Sequence, residues 1–181
     1  MNKDNRRFLI IDIIALIILI IIDQFTKKLA VIYLMDKEPF SLIKGVLEFY
    51  YLPGGNKGAA FGLFQGQRAF FIIIAFLVIA FVGYLLVRIP AVSKYRLIRV
   101  MLIFVAAGGL GNMIDRVFQS YVVDFIYIRI INFPVFNVAD MYVTCGVIIL
   151  GAYMIFKMSE EELLELNSYV SLKKSSDKNA S

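Results

Sequence analysis

The 181-residue chain is 60% hydrophobic and only 18% charged, with a mean hydropathy of +0.78; a soluble domain of this size is about half apolar and about a quarter charged. That composition excludes an ordinary water-soluble domain and points to a single membrane domain. The net charge of +5 does not indicate a nucleic-acid binder, because no basic patch with interleaved aromatics lies outside the apolar runs.

The polar, basic stretch 1–7 leads into an apolar run over 8–22 that only Asp12 interrupts. This has the look of a signal peptide, but the acid inside the run and the missing small-x-small site favour a retained first span over 7–29. Residues 69–87 are uncharged and long enough to cross the hydrocarbon core as a second span. A third is expected over 97–114, with Arg99 in its first turn placed to snorkel to the headgroups. The fourth runs over 138–156, with Asp140 at its beginning.

Basic residues choose the side of the membrane. Lys3, Arg6 and Arg7 precede the first span; Arg88, Lys94, Arg96 and Arg99 occupy the short second connection; Lys157, Lys173, Lys174 and Lys178 follow the last span. Both termini are therefore expected in the cytoplasm, and the long connections 30–68 and 115–137 outside. Within them, 46–52 and 121–131 are rich in β-branched and aromatic residues and predict short strands. The expected fold is membrane α-helical: four transmembrane helices and a small β-sheet at the outer membrane surface. Residues 1–157 form the membrane domain, and 158–181 a polar cytoplasmic tail with one short amphipathic helix.

With no histidine, and one cysteine (Cys145) in an apolar run, His-based triads, most zinc sites and an intramolecular disulfide are excluded. Ser41, Ser120 and Thr144 have no obviously paired lysine, so hydrolytic chemistry has to rest on carboxylates. Asp124 and Asp140 sit beside apolar runs with no basic neighbour in sequence, where a carboxylate needs a partner or a job. Held close, they would share a proton, activate a water and protonate a leaving amine. The plainer alternative is that Asp140 caps a helix and Asp124 pairs with Arg116 or Arg129.

Asn112, Asp115 and Arg116 fall at i, i+3 and i+4 and form either a polar scaffold for the acids or an interfacial helix cap. Asp23 and Lys27 have the spacing of a helical ion pair, in the better orientation. Asp12 lies about three turns before Asp23, on the same side, facing the bundle or the cytoplasmic headgroups. Asn56 belongs to a Gly/Ala-rich stretch that either lies over a bound extended peptide or simply turns into the second span. A small transporter with relay acids is the competing class, but relay acids would be spread in depth, and here all except Asp12 gather at one face.

Five motifs in order carry a resemblance: Asp23-Gln24-Phe25-Thr26-Lys27, Asn56-Lys57-Gly58-Ala59-Ala60-Phe61-Gly62, Gly108-Gly109-Leu110-Gly111-Asn112-Met113-Ile114-Asp115-Arg116, Val123-Asp124-Phe125 and Phe136-Asn137-Val138-Ala139-Asp140. Each is weak singly. Together, over about residues 8–157, they resemble the lipoprotein signal peptidases, or signal peptidase II. The resemblance implies an aspartyl endopeptidase of the bacterial inner membrane, sensitive to globomycin, with its active site toward the outer face. It would cut prolipoproteins just before a diacylglyceryl-modified cysteine. The implied catalytic dyad is Asp124 and Asp140, supported by Asp23, Lys27, Asn56, Asn112, Asp115, Arg116 and Asn137. No metal or cofactor is implied; the partners are prolipoprotein substrates and membrane lipids, and no nucleic acid.

Overall fold

The computed structural model describes residues 3–58 and 66–171. The end of the Asn56 stretch (59–62) and Lys173, Lys174 and Lys178 lie outside the described residues. Among the described residues, four helices are long and apolar enough to cross a membrane. They are α1 (Lys3–Leu34), α2 (Arg68–Arg88), α3 (Arg96–Gln119) and α4 (Val138–Phe156). Among the described residues three short strands, β1 (Phe40–Ile43), β2 (Leu47–Phe49) and β3 (Ile126–Ile128), form one antiparallel sheet in the order β1-β2-β3.

α3 is the axis of the bundle. It is largely buried, and α1, α2 and α4 all pack on it while turning most of their side chains outward. Lipid supplies no hydrophobic drive for helices to associate, so close approach depends on small residues. α3 provides them at Ala106, Ala107, Gly108 and Gly111. A Cβ on Gly108 would collide with the carbonyl oxygen of Ala139, and one on Gly111 with the carboxylate of Asp23. These two glycines let α3 approach the first turn of α4 and the polar patch of α1, which sets the position of Asn112 between them.

Several expected boundaries move. α1 extends past 29 to Leu34, and α3 past 114 to Gln119, ending where Ser120 turns left-handed at φ 70°. Asp115 and Arg116, assigned above to the outer connection, are therefore helical. Their polar groups find protein partners, so they do not end the helix. The strand expected over 46–52 shrinks to β2, and β1 was not expected. The strand expected over 121–131 is only β3, followed by a 3-10 turn, Arg129–Ile131. Residues 121–125 remain extended, paired discontinuously with 50–56: Tyr50 donates to Phe125, Leu52 to Asp124, and Asn56 and Val122 exchange both bonds. Gly54 and Gly55, both at positive φ, interrupt the ladder. The Gly55 Cα lies against the Tyr121 ring, where a side chain has no room.

A core of Ala30, Tyr51, Val123 and Phe125, backed by Leu34, Phe49 and Val138, clamps that extended segment between the sheet and the end of α1. The opposite end of the bundle is closed by α5 (Glu160–Val170), the expected tail helix. It starts at a Ser159–Glu162 capping box and buries Leu166 among Val82, Ile89, Tyr95 and Leu102.

Arg99 does not snorkel. It is only 5% exposed, donates to the carbonyls of Leu86 (2.8 Å) and Ile89 (2.7 Å), and pairs with Asp12. The carbonyls at the end of α2 have no helical partner, so a cation there satisfies them and the helix dipole together. Asp12 thus faces the bundle, on the same side as Asp23. Asp12→Asn removes the charge-assisted bond but leaves Arg99 two acceptors. We expect a loss of about 1–2 kcal/mol, read by thermal unfolding in detergent micelles; an unchanged midpoint would contradict the pairing.

Candidate active site

The first turn of α4 is built by Asn137. Its side-chain Oδ1 accepts from the Asp140 backbone N–H (3.0 Å), and the Asp140 Oδ2 accepts from the Asn137 N–H (3.1 Å), a reciprocal cap. Because Oδ1 is committed to an N–H, the Asn137 amide NH2 has to point the other way. It donates to Asp124 Oδ1 at 2.7 Å and to Asn112 Oδ1 at 3.1 Å. Asp124, which precedes β3 and is not in a strand, is 2% exposed; its Oδ2 accepts from Asn56 at 2.8 Å. The Asn112 NH2 donates to Asp140 Oδ1 at 2.8 Å.

All four oxygens of Asp124 and Asp140 thus accept hydrogen bonds, and each of these partners is a donor. A proton on this pair can be passed only to the other carboxyl or to whatever fills the space in front. Burial, and then the negative charge of Asp140, push the Asp124 carboxyl up to about 7, against the Asn56 and Asn137 donors and Lys27, which pull it down.

Behind this layer lies a buried ionic centre. Lys27 Nζ contacts Asp23 Oδ2 (2.9 Å), Asp115 Oδ2 (3.0 Å) and Asn112 Oδ1 (2.9 Å). An ammonium only donates, so it fixes the Asn112 carbonyl toward itself and the NH2 toward Asp140. Asp23 also accepts from the Ala139 N–H, and Asp115 from the Val123 N–H. The centre therefore tethers both segments that carry the acids. Gln24 lies between Asp23 and Asp115, donating to both and to the Gly111 carbonyl. Sequence reasoning missed Gln24 as a site residue; its signal was the cluster Asp23, Gln24, Thr26 and Lys27 inside an apolar helix.

The three polar residues near the end of α3 do not act as one patch. Asn112 faces the acids and Asp115 the ionic centre. Arg116 donates to the Gly58 carbonyl (3.0 Å), its guanidinium 4.6 Å from the centroid of the Phe71 ring. Arg129 pairs with Glu48 at 2.6 Å, so the pairing of Asp124 with Arg129 considered above does not form. The acids open onto a cavity of about 590 Å³. Asn56, Asn112, Arg116, Asp124 and Asp140 give it a polar wall. Phe71, Phe133, Pro134, Phe136, Met141 and Cys145 give it an apolar one.

The family model described as signal peptidase (SPase) II matches residues 14–156, which hold the whole of this constellation. The chain belongs to the signal peptidase II family. A lipoprotein signal peptidase of Caldanaerobacter subterraneus subsp. tengcongensis is 42% identical over 146 residues, 80% of this chain and 96% of the relative. One from Streptococcus pyogenes serotype M5 is 38% identical over 138 residues, 76% and 88% of the two chains. A solved bacterial membrane enzyme superposes with a TM-score of 0.72 at 31% identity, covering 92% of this chain and 95% of its own. A second reaches 0.71 at 31% identity, over 83% and 96%. Membership of the signal peptidase II family makes the protein a multi-pass membrane protease. The match to that family ends with α4, so α5 lies outside it.

Proposed function

We propose that this protease removes signal peptides from prolipoproteins as an aspartyl endopeptidase of the bacterial cytoplasmic membrane. It cuts just before the diacylglyceryl-modified cysteine. The observation that carries this reading is the convergence of Asp124 and Asp140, surrounded by donors, on a cavity with one polar and one apolar wall. The polar wall suits an extended peptide and the apolar wall acyl chains. Concentration of basic residues at the other end of the spans supports a site toward the outer face.

Asp124, raised to about 7, is the protonated member. Asp140, in the first turn of α4, is the base of the pair. Asp124 hydrogen-bonds the scissile carbonyl while Asp140 takes a proton from the attacking water. In the tetrahedral intermediate the former carbonyl oxygen holds the Asp124 proton. Collapse returns that proton to Asp124, and Asp140 passes its own to the cysteine nitrogen as the C–N bond breaks. Asn56, Asn112 and Asn137 keep both carboxyls aimed. Asp23, Lys27 and Asp115 hold the aiming groups, and Arg116 positions substrate backbone and lipid headgroup. Two carboxyls and a water complete the cycle without a cofactor.

A purified sample given a diacylglyceryl-modified lipobox peptide should release a product that begins at the lipidated cysteine, read by mass spectrometry. An intact peptide, or cleavage elsewhere, defeats the reading. The rate should also depend on pH. The active form needs Asp124 protonated, so kcat/KM should fall about tenfold per pH unit above about 7; a flat profile from about 6 to 9 removes Asp124 as the acid. Stability follows the same proton. The folded carboxyl titrates above its unfolded value of 3.8, so the folded chain holds the extra proton between about pH 4 and 7, and stability declines across that window as pH rises.

A further inference from the structure

Two amides donate to Asp124. Asn137 is built into the start of α4, whereas Asn56 stands on a loop. The Asn56 amide is aimed by a turn of its own: Oδ1 accepts from the Gly58 N–H at 2.9 Å, which leaves the NH2 group facing Asp124 at 2.8 Å. That aim is only as firm as the backbone beneath it. Gly54 and Gly55 precede Asn56, both left-handed at φ 73° and 67°, and successive glycines have the most conformations to lose. A bond from the Gly55 N–H to the Leu52 carbonyl (3.0 Å) closes the turn they form.

Tyr121 supplies a second constraint. Its ring fills the place where a Gly55 side chain would stand. The next residue, Val122, exchanges both backbone bonds with Asn56 at 2.9 Å. Ring and backbone thus grip two successive residues of the loop. We propose that Tyr121 is a positioning residue for the reaction: its ring locks the Gly54–Gly55 turn and so keeps the Asn56 amide on Asp124. Val122 lines the catalytic cavity, but Tyr121 lines a separate one of about 270 Å³, together with Tyr51, Pro53 and Gly54. It therefore acts through Asn56 and not on substrate. Its part in turnover rests on the peptidase reading; its hold on the donor of Asp124 does not.

The readout is the protonation of Asp124, which Asp140 faces from α4, Lys27 from α1 and Arg116 from α3, besides the two amides. The Asn56 donor favours the carboxylate, so losing it should raise the titration midpoint above about 7. Carboxyl-carbon NMR in micelles reads it, with the Asp124 signal assigned by its loss in Asp124→Asn. The midpoint should rise in Tyr121→Ala and in Asn56→Ala, with no further rise when the two are combined. Tyr121→Phe keeps the ring and should titrate as wild type. An unmoved midpoint in Tyr121→Ala overturns the proposal. So does a Tyr121→Phe protein that behaves like the alanine variant, or a shift that persists in full on top of Asn56→Ala. Tyr121→Leu, which keeps apolar volume but not the flat face, carries the same test if the alanine variant does not fold. With the diacylated peptide, Tyr121→Ala should lower kcat about 10- to 100-fold, leave KM within about threefold and carry the alkaline limb of kcat/KM to higher pH. A kcat within about twofold of wild type removes Tyr121 from turnover. If the midpoint moves while the wild type cleaves no lipidated peptide, the peptidase reading fails and the hold of Tyr121 on Asn56 stands.

Discussion

Asp124→Asn and Asp140→Asn should each reduce turnover of a diacylated peptide by at least about 10³-fold, with the double variant hardly worse than either single one. General acid–base groups contribute about 10²–10⁴ each, and groups that act as a unit are far from additive. Asparagine is nearly isosteric, but at 140 it brings an NH2 toward Asn112 and Asn137 groups that already donate. At 124 it meets the same conflict with Asn56 and Asn137. The test is a single-turnover assay at equal amounts of protein with matched thermal unfolding. A variant that keeps more than about a tenth of wild-type turnover shows that its acid is structural, and the two-carboxyl mechanism is then wrong.

Lys27→Met carries the largest expected loss of stability, about 3–5 kcal/mol. Asp23 is 0% exposed, Asp115 and Lys27 3% each, and the ammonium touches both carboxylates. Removing it leaves two buried acids facing each other without a counter-charge. The released carboxylates also hold the Ala139 and Val123 N–H groups, so both segments that bear the dyad lose a tether. Thermal unfolding in micelles should show the drop, and adding Asp23→Asn and Asp115→Asn should recover much of it. A single Lys27→Met variant within about 1 kcal/mol of wild type would falsify the ionic centre as the main tether.

The four spans were legible because each contains an apolar run too long for a soluble helix, and α2 and α4 ended where Arg68, Arg88 and Asn137 marked them. The ends of α1 and α3 were misjudged for one physical reason. Lys27, Asp115 and Arg116 look like exits to water, but inside a bundle they satisfy one another or a backbone carbonyl, and the helix continues. The short strands were overextended because Tyr50, Tyr51 and 121–125 have strand composition while Gly54 and Gly55 break the pairing. For the site, the acids stood out by their apolar surroundings, and the ordered motifs named their supporters. The bond from Asn56 to Asp124 joins positions 68 apart, and no local pattern could have paired them. Nor could spacing reveal that Gln24 lies between two acids.

Asn137 has one further consequence. Helix starts usually tolerate exchange among serine, threonine, aspartate and asparagine, because any of them can accept the free N–H groups. Here the same side chain accepts from Asp140, donates to Asp124 and steadies Asn112. The first turn of α4 and the reactive pair are therefore one object, made in a single event. During synthesis Asp124 is made before Asn137 and Asp140, as a lone carboxyl with no counterpart. On the two-carboxyl mechanism proposed above, a chain stalled short of α4 would lack one of its acids and cut nothing.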